Sequence, residues 1–327
     1  MFHVIIPTYN REKTIIRSIK SVLNQKYKDF HIYIIDDWST DNTKEILKPY
    51  LEEYKWKITY TYKENWWVWS ARNMWIEQAL DNSKNIENDW VIFLDSDDEL
   101  VENAFNKILL KIKEVNIDKA KIISFKTINQ YWKETCFVKE AKKYLWFKEL
   151  ISWKYLKWEL AFVVNLSIFL NKKNRFNEKV NWWEWLLWLS LYKQTNIYTT
   201  TTTTIRIYYQ DNISLIRWEL NEKRILNNIK MNELLLENFW EDFQKYNTDQ
   251  LWIIYFVLAR MYALNKERIK SIKYFIFWLK NKIDLKRIIL YLISILPYWI
   301  KINNILIKIN NILINKKCNT VKFSTQI

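Results

Sequence analysis

A chain of 327 residues without a single glycine is tightly limited in the turns it can make. Glycine supplies the positive φ that tight turns and close backbone approaches require, and no other residue replaces it cheaply. At the usual share of about 7%, a chain of this length carries about 23 glycines. Tryptophan occurs 20 times instead, and several copies stand where a turn is expected. Trp38 lies in Asp37-Trp38-Ser39 after an apolar run, Trp66, Trp67 and Trp69 lie within Asn65–Ser70, and Trp182-Trp183 precede Glu184. We read the two anomalies as one, glycine codons decoded as tryptophan, because UGA specifies glycine in some genetic codes and tryptophan in others. The alternative is a natural Trp-rich protein. Trp90 and Trp132 sit comfortably as aromatic residues. A UGG codon at position 38 would refute the decoding there.

The length suits about two domains with a proper hydrophobic core. A composition 27% charged and 50% apolar is that of a folded globular chain. The net charge of +15 suits an anionic partner: nucleic acid, an acidic membrane surface or a phosphorylated substrate. Cys136 and Cys318 cannot form a disulfide framework, and His3 and His31 are too few for a structural zinc, so a reducing compartment is expected. The opening Met1–Pro7 reads as a strand and not as an export signal. The longest apolar run, 288–300, is interrupted by Ser294 and Pro297 and falls short of the roughly 18 residues of a membrane-spanning helix.

The first hundred residues alternate apolar runs with amphipathic segments. Strands are predicted near 2–6, 30–35, 57–63 and 90–94, and helices near 11–26, 41–54 and 70–82. This βαβ rhythm predicts a largely parallel α/β sheet with ligands at the carboxyl ends of its strands. Between 100 and 215 the pattern is mixed, and Thr199–Thr204 reads as strand because its β-branched residues favour extended backbone, with a low-complexity loop as the alternative. From about 218 the signal is helical, and no internal repeat stands out.

Two acidic groups follow apolar strands, Asp36-Asp37 and Asp95-Ser96-Asp97-Asp98. In a parallel sheet both belong on one edge and can meet at a single ligand. Clustered carboxylates are relieved by a hard divalent cation, which also bridges to phosphate oxygens, so the second group suggests a diphosphate substrate. Asp36 and Asp41 read as turn and helix-cap residues, and the two histidines as packing or surface residues.

Four segments together, Val4–Asn10, Ile35–Asp41, Asn65–Asn73 and Asp95–Asp98, resemble family 2 glycosyltransferases in order and spacing over about residues 1–110. The resemblance implies the GT-A fold and an inverting transfer of sugar from a nucleotide diphosphate donor, a UDP-sugar. It implies a glycan or lipid-linked acceptor and a divalent metal, Mn²⁺ or Mg²⁺. Where the family has glycine at positions 38, 66, 67 and 69, this chain has tryptophan. Carried over residue by residue, Pro7 and Tyr9 border the nucleotide base and Asp37 hydrogen-bonds it. Arg72 bears on the nucleotide side, Asp95 and Asp97 address ribose, metal and diphosphate, and Asp98 is a further metal ligand. Glu184, in a segment resembling the family's acceptor-side motif, is the candidate general base, with Glu159 as second choice.

The expected organisation is a nucleotide-sugar half at 1–110, an acceptor half at 111–217 and a helical region at 218–327. The basic amphipathic stretch 266–317 can lie on an anionic membrane or pack on protein, and family members often work at the cytoplasmic membrane face. A nucleotidyltransferase would want a phosphate-gripping loop after the first strand, which Pro7–Arg11 is not. A basic nucleic-acid binder would leave the ordered acidic motifs unexplained, so no nucleic-acid partner is expected; the remaining alternative is an inactive Trp-bearing pseudoenzyme of the same fold.

Overall fold

The computed structural model describes residues 1–63, 67–138, 144–152, 156–158, 160–177, 185–209, 221–280 and 285–295. Its contacts divide the chain into two compact units, Met1–Asp211 and Asn212–Ile327.

In the first unit, β1 (Phe2–Thr8), β2 (Phe30–Asp37), β3 (Ile58–Lys63) and β4 (Trp90–Phe93) alternate with α1 (Ile15–Leu23), α2 (Thr43–Glu53) and α3 (Trp67–Asn82). β1 pairs in parallel with both β2 and β4, and β2 pairs in parallel with β3. Next come β5 (Glu99–Leu100), α4 (Ala104–Glu114), β6 (Ile122–Asn129), β7 (Cys136–Val138), β8 (Tyr144–Leu145) and α5 (Phe147–Ile151). The unit continues with β9 (Leu156–Trp158), β10 (Ala161–Asn165), α6 (Trp185–Gln194) and β11 (Ile197–Tyr208).

The main sheet runs β3-β2-β1-β4-β10-β6-β11-β5, with β8 beside β11, while β7 and β9 form a separate pair. β10 is antiparallel to both β4 and β6, so the sheet is mixed, with its parallel part concentrated in the first hundred residues. The threonine run lies inside β11, whose pairing with β6 shifts register between Thr199 and Thr204.

β1 is apolar nearly throughout because it is central, covered on both faces. Val4 and Ile6 join Ile32, Ile34 and Ile92 in one core with Ile15, Ile19 and Val22 of α1. The last three recur at helical spacing on one face, and burying each such side chain contributes about 1.5–3 kcal/mol. At the amino-terminal rim, His3 meets the Tyr33 hydroxyl at 3.1 Å and Asp89 at 3.3 Å, and His31 meets Thr59 at 2.8 Å. Both histidines are thus taken up in packing, away from the acidic rim.

Positive φ is informative in a chain without glycine. Among the described residues it occurs at Asn10, Trp38, Asn103, Trp132 and Lys266. Asparagine tolerates this region, whereas a bulky residue there is an outlier. Trp38 has φ 69° and is 44% exposed. Trp132, expected to sit comfortably as an aromatic residue, has φ 61° and is 75% exposed in the turn after β6. Its backbone, like that of Trp38, has the geometry glycine favours. Trp90, by contrast, is 3% exposed in the core of β4.

The second unit comprises α7 (Glu222–Tyr246), α8 (Thr248–Leu264), α9 (Arg268–Leu279) and α10 (Leu285–Ile295). Asn221 and Asn247 cap α7 and α8 by accepting from the N–H groups of Arg224 and Gln250. Trp252, Phe256, Ala259, Trp278 and Tyr291 form its core. Among the described residues, no helix is long and apolar enough to cross a membrane.

Candidate active site

The chain leaves β1 toward β2 and β3 on one side and returns at β4 on the other. This reversal of strand order opens a crevice at the carboxyl ends of β1 and β4. Pro7 is half-buried at the end of β1 and Tyr9, just beyond, is 41% exposed.

The loop after β2 carries the first acidic pair. Asp36 is buried and accepts from the Ser39 N–H and the Tyr60 hydroxyl, each at 2.8 Å, which makes it the turn former the sequence predicts. Asp37 is half-buried at the rim, in register with Lys63 of β3. Asp41 accepts from the N–H groups of Thr43 at 3.0 Å and Glu12 at 3.1 Å. Burial opposes its ionisation, but hydrogen bonds from Thr43 and Glu12 outweigh that and hold its carboxyl below the usual range.

Residues 10–12 tie this loop to the second acidic group. The Asn10 N–H donates to Ser39 at 2.8 Å, the Asn10 side chain accepts from the Thr40 N–H at 2.8 Å, and the Arg11 N–H donates to Thr43 at 2.9 Å. Across the crevice, the Arg11 guanidinium pairs with Asp97 at 3.1 Å. Asp37 and Asp97 therefore lie on the same rim of the sheet, one at each side of the β1 loop.

The loop Asp95–Glu99 is closed by the Asp98 N–H donating to the Asp95 carbonyl at 3.0 Å. The side chains of Asp95 and Asp97 are 48% and 31% exposed, while that of Asp98 is 1% exposed. Asp98 turns inward, accepts from the Tyr209 N–H at 3.1 Å and faces Arg206 of β11 at 3.6 Å. Burial pushes its carboxyl up to about 8; Arg206 and the Tyr209 N–H oppose the rise, and the Asp95 and Asp97 charges add to it. From α1, Arg17 donates to the Asp97 carbonyl at 2.6 Å and pairs with Glu99 at 3.0 Å, and the Ser18 hydroxyl donates to the Asp98 carbonyl at 2.6 Å.

Arg11, Arg17, Ser18, Arg206 and Tyr209 were not singled out from the sequence. Arg206 carried a signal, a lone cation inside the β-branched run Thr199–Ile207.

The segment that precedes the Glu184 region is tied to α3. Asn73 of α3 donates to the Phe176 carbonyl at 2.9 Å and accepts from the Phe176 N–H at 2.8 Å. One turn along, Glu77 pairs with Arg175 at 2.8 Å. Glu184 and Glu159 lie outside the described residues. Arg72 belongs to α3, with its side chain likewise outside the description.

Among the described residues, no group of three or more His, Cys, Asp or Glu side chains is arranged to hold a metal ion. Two partly exposed carboxylates, Asp95 and Asp97, do fit a hard cation that takes its remaining oxygens from a bound phosphate and water, the usual arrangement for Mg²⁺.

A family model described as glycosyl transferase family 2 matches residues 3–173. The chain is 27% identical over 309 residues to the GalNAc(5)-diNAcBac-PP-undecaprenol beta-1,3-glucosyltransferase of Campylobacter jejuni, covering 90% of this chain and 93% of that one. It is 34% identical over 110 residues to the minor teichoic acid biosynthesis protein GgaB of Bacillus subtilis, covering 33% of this chain and 11% of that protein. The crystal structure of Staphylococcus aureus TarS 1–349 aligns with a TM-score of 0.55 at 18% identity, covering 90% of this chain and 79% of that one. The mannosyltransferase PcManGT of Pyrobaculum calidifontis, in complex with GDP-Man and Mn²⁺, aligns with a TM-score of 0.55 at 14% identity, covering 88% and 77%. At these identities the two structures speak for a shared fold.

Proposed function

Because this chain belongs to glycosyltransferase family 2 and has a GT-A-like fold, we propose that it transfers a sugar from a UDP-sugar to a hydroxyl of a lipid-linked glycan in cell-envelope synthesis. The observation that carries the donor reading is the acid loop at the β1/β4 crevice, where Asp95 and Asp97 remain partly exposed beside Arg11. The lipid-linked acceptor rests on the Campylobacter relative, whose name specifies an undecaprenol-linked substrate.

On this reading Pro7 and Tyr9 flank the base, Asp37 accepts hydrogen bonds from it, and Arg72 serves the nucleotide side. Asp95 and Asp97 would hold Mn²⁺ or Mg²⁺ against the diphosphate. When bound, the cation supplies positive charge that stabilises the departing diphosphate. Glu184 takes the acceptor hydroxyl's proton as that oxygen bonds to the anomeric carbon. The bond from that carbon to the diphosphate oxygen breaks, UDP leaves, and attack from the opposite face inverts the centre.

Peripheral attachment to an anionic membrane belongs to the same proposal. Ile269, Ile272 and Ile276 line one face of α9 and are 86%, 53% and 46% exposed, with exposed Lys273 and Lys280 on the same side of the helix.

The test is a screen of nucleotide sugars with Mn²⁺ and an undecaprenyl-diphosphate-linked glycan, read by mass spectrometry. One donor is expected to be consumed, with loss of turnover in Asp97→Ala by at least a hundredfold. No consumption of any nucleotide sugar, together with salt-sensitive binding to oligonucleotides, would replace the enzyme reading with a nucleic-acid binder.

A further inference from the structure

Four of the five residues in Asp95–Glu99 are acidic, and each acid has a cation within reach. Arg11 takes Asp97 at 3.1 Å and Arg17 takes Glu99 at 3.0 Å. Arg206 takes the remaining two, with Asp98 at 3.6 Å and Asp95 at 4.0 Å. Of the three arginine side chains Arg206 is the most enclosed, 8% exposed against 12% for Arg11 and 32% for Arg17. Its interactions are therefore the least screened by salt and water.

The position of Arg206 is itself fixed. It sits opposite Leu100 where β11 pairs with β5, and the neighbouring Ile205 carbonyl accepts from the Val101 N–H at 2.9 Å. Its guanidinium also donates to the Leu160 carbonyl at 3.5 Å. Just beyond it, the Tyr209 N–H binds Asp98 and the Tyr209 ring lies 3.5 Å from the Arg17 guanidinium. The acid loop is thus held from beneath by a strand that enters the sequence more than a hundred residues later.

Resting on the nucleotide-sugar reading above, we infer that Arg206 is a positioning residue for the donor diphosphate. It draws Asp98 inward and steadies Asp95, so that Asp95 and Asp97 face the crevice at a fixed spacing. Asp98 serves as the handle by which β11 grips the loop. A planar guanidinium suits this task because it addresses two carboxylates and a carbonyl in set directions, which a lysine ammonium cannot do.

The test measures binding of Mn²⁺ with UDP to the full chain, with free Mn²⁺ read by electron paramagnetic resonance, in wild type, R206M, R206K and D98N. Partners that orient a metal-holding carboxylate are worth about 10–100-fold in affinity. R206M is expected to weaken binding by that factor, and R206K, which keeps the charge without the fork, to restore only part of it. Ile108→Ala, a core change in α4 chosen to lower the melting temperature comparably, is expected to leave the affinity unchanged, which separates positioning from general destabilisation. Should R206M fail to fold, D98N carries the test, since its amide oxygen still accepts from Tyr209 while its amide nitrogen, a donor, replaces the oxygen that faces Arg206. A folded R206M or D98N that binds within twofold of wild type overturns the inference while the donor reading stands. Absence of Mn²⁺ and UDP binding by the wild type overturns the donor reading and this inference with it.

Discussion

Replacing Trp132 with glycine is expected to cost this protein almost nothing, unlike the usual outcome of removing a large aromatic residue. An L-residue in the left-handed region costs roughly 1–2 kcal/mol relative to its ordinary conformations. Trp38 sits at φ 69° and Trp132 at φ 61°, so each carries that cost. Against it stand glycine's extra chain entropy, about 0.5–1 kcal/mol, and the contacts of the indoles. At about 25 cal/mol per Å² over about 150–250 Å² of side chain, the burial of Trp132, 75% exposed, contributes about 1–1.5 kcal/mol and that of Trp38, 44% exposed, about 2–3.5 kcal/mol. The terms nearly cancel at Trp132, whose glycine variant is expected to melt within about 4 °C of wild type, whereas W38G is expected to lose about 1–3 kcal/mol. Trp90→Gly is the control. At 3% exposure it forfeits a packed core side chain, a loss of about 3–5 kcal/mol, and melting should fall sharply. Differential scanning calorimetry on wild type, W38G, W132G and W90G reads the whole set. If W132G lowers the melting temperature as far as Trp90→Gly does, the argument from its backbone is refuted, and UGG at both codons refutes the decoding.

Two further outcomes follow from the geometry. His31 is held neutral by burial, its pKa lowered to about 4 from 6.5. As pH falls below 6.5 the unfolded chain takes up the proton first, so stability should decline between pH 6.5 and about 4, by on the order of 1–3 kcal/mol. Urea titrations at pH 7 and pH 5 check this, and His31→Asn should flatten the difference. On α9, replacing Ile269, Ile272 and Ile276 with serine should abolish co-sedimentation with vesicles containing phosphatidylglycerol, with the melting temperature unchanged; retained binding would refute the membrane face.

The parts of the fold visible in the sequence are those governed by local periodicity. The alternation of β1 to β4 with α1 to α3 could be read because each strand is a short apolar run and α1 and α2 each have one apolar stripe. The insertion of β10 between β4 and β6 could not, because Ala161–Asn165 is an apolar run like several others and its partners are chosen across the chain. At the site, the acids stood out because charges directly after a buried strand are costly without a purpose. The arginines that answer them come from the loop after β1, from α1 and from β11, and pairing across such separations leaves no mark in a linear reading beyond the isolated charge at Arg206. The left-handed backbone at Trp132 is a property of its turn, which the side-chain type does not reveal. Near the end of the chain, Lys301–Ile307 recurs letter for letter in 308–314, a repeat that composition does not show.

The paired hydrogen bonds between the Asn73 amide and the Phe176 peptide join residues 103 positions apart. A carboxamide used in this way imitates a neighbouring strand, donating and accepting at once, and with the Arg175–Glu77 fork beside it the joint resists both sliding and rotation. The helix that follows β3 and the segment at Arg175–Phe176 are therefore fastened at two points one helical turn apart, so a shift of one is expected to carry the other with it.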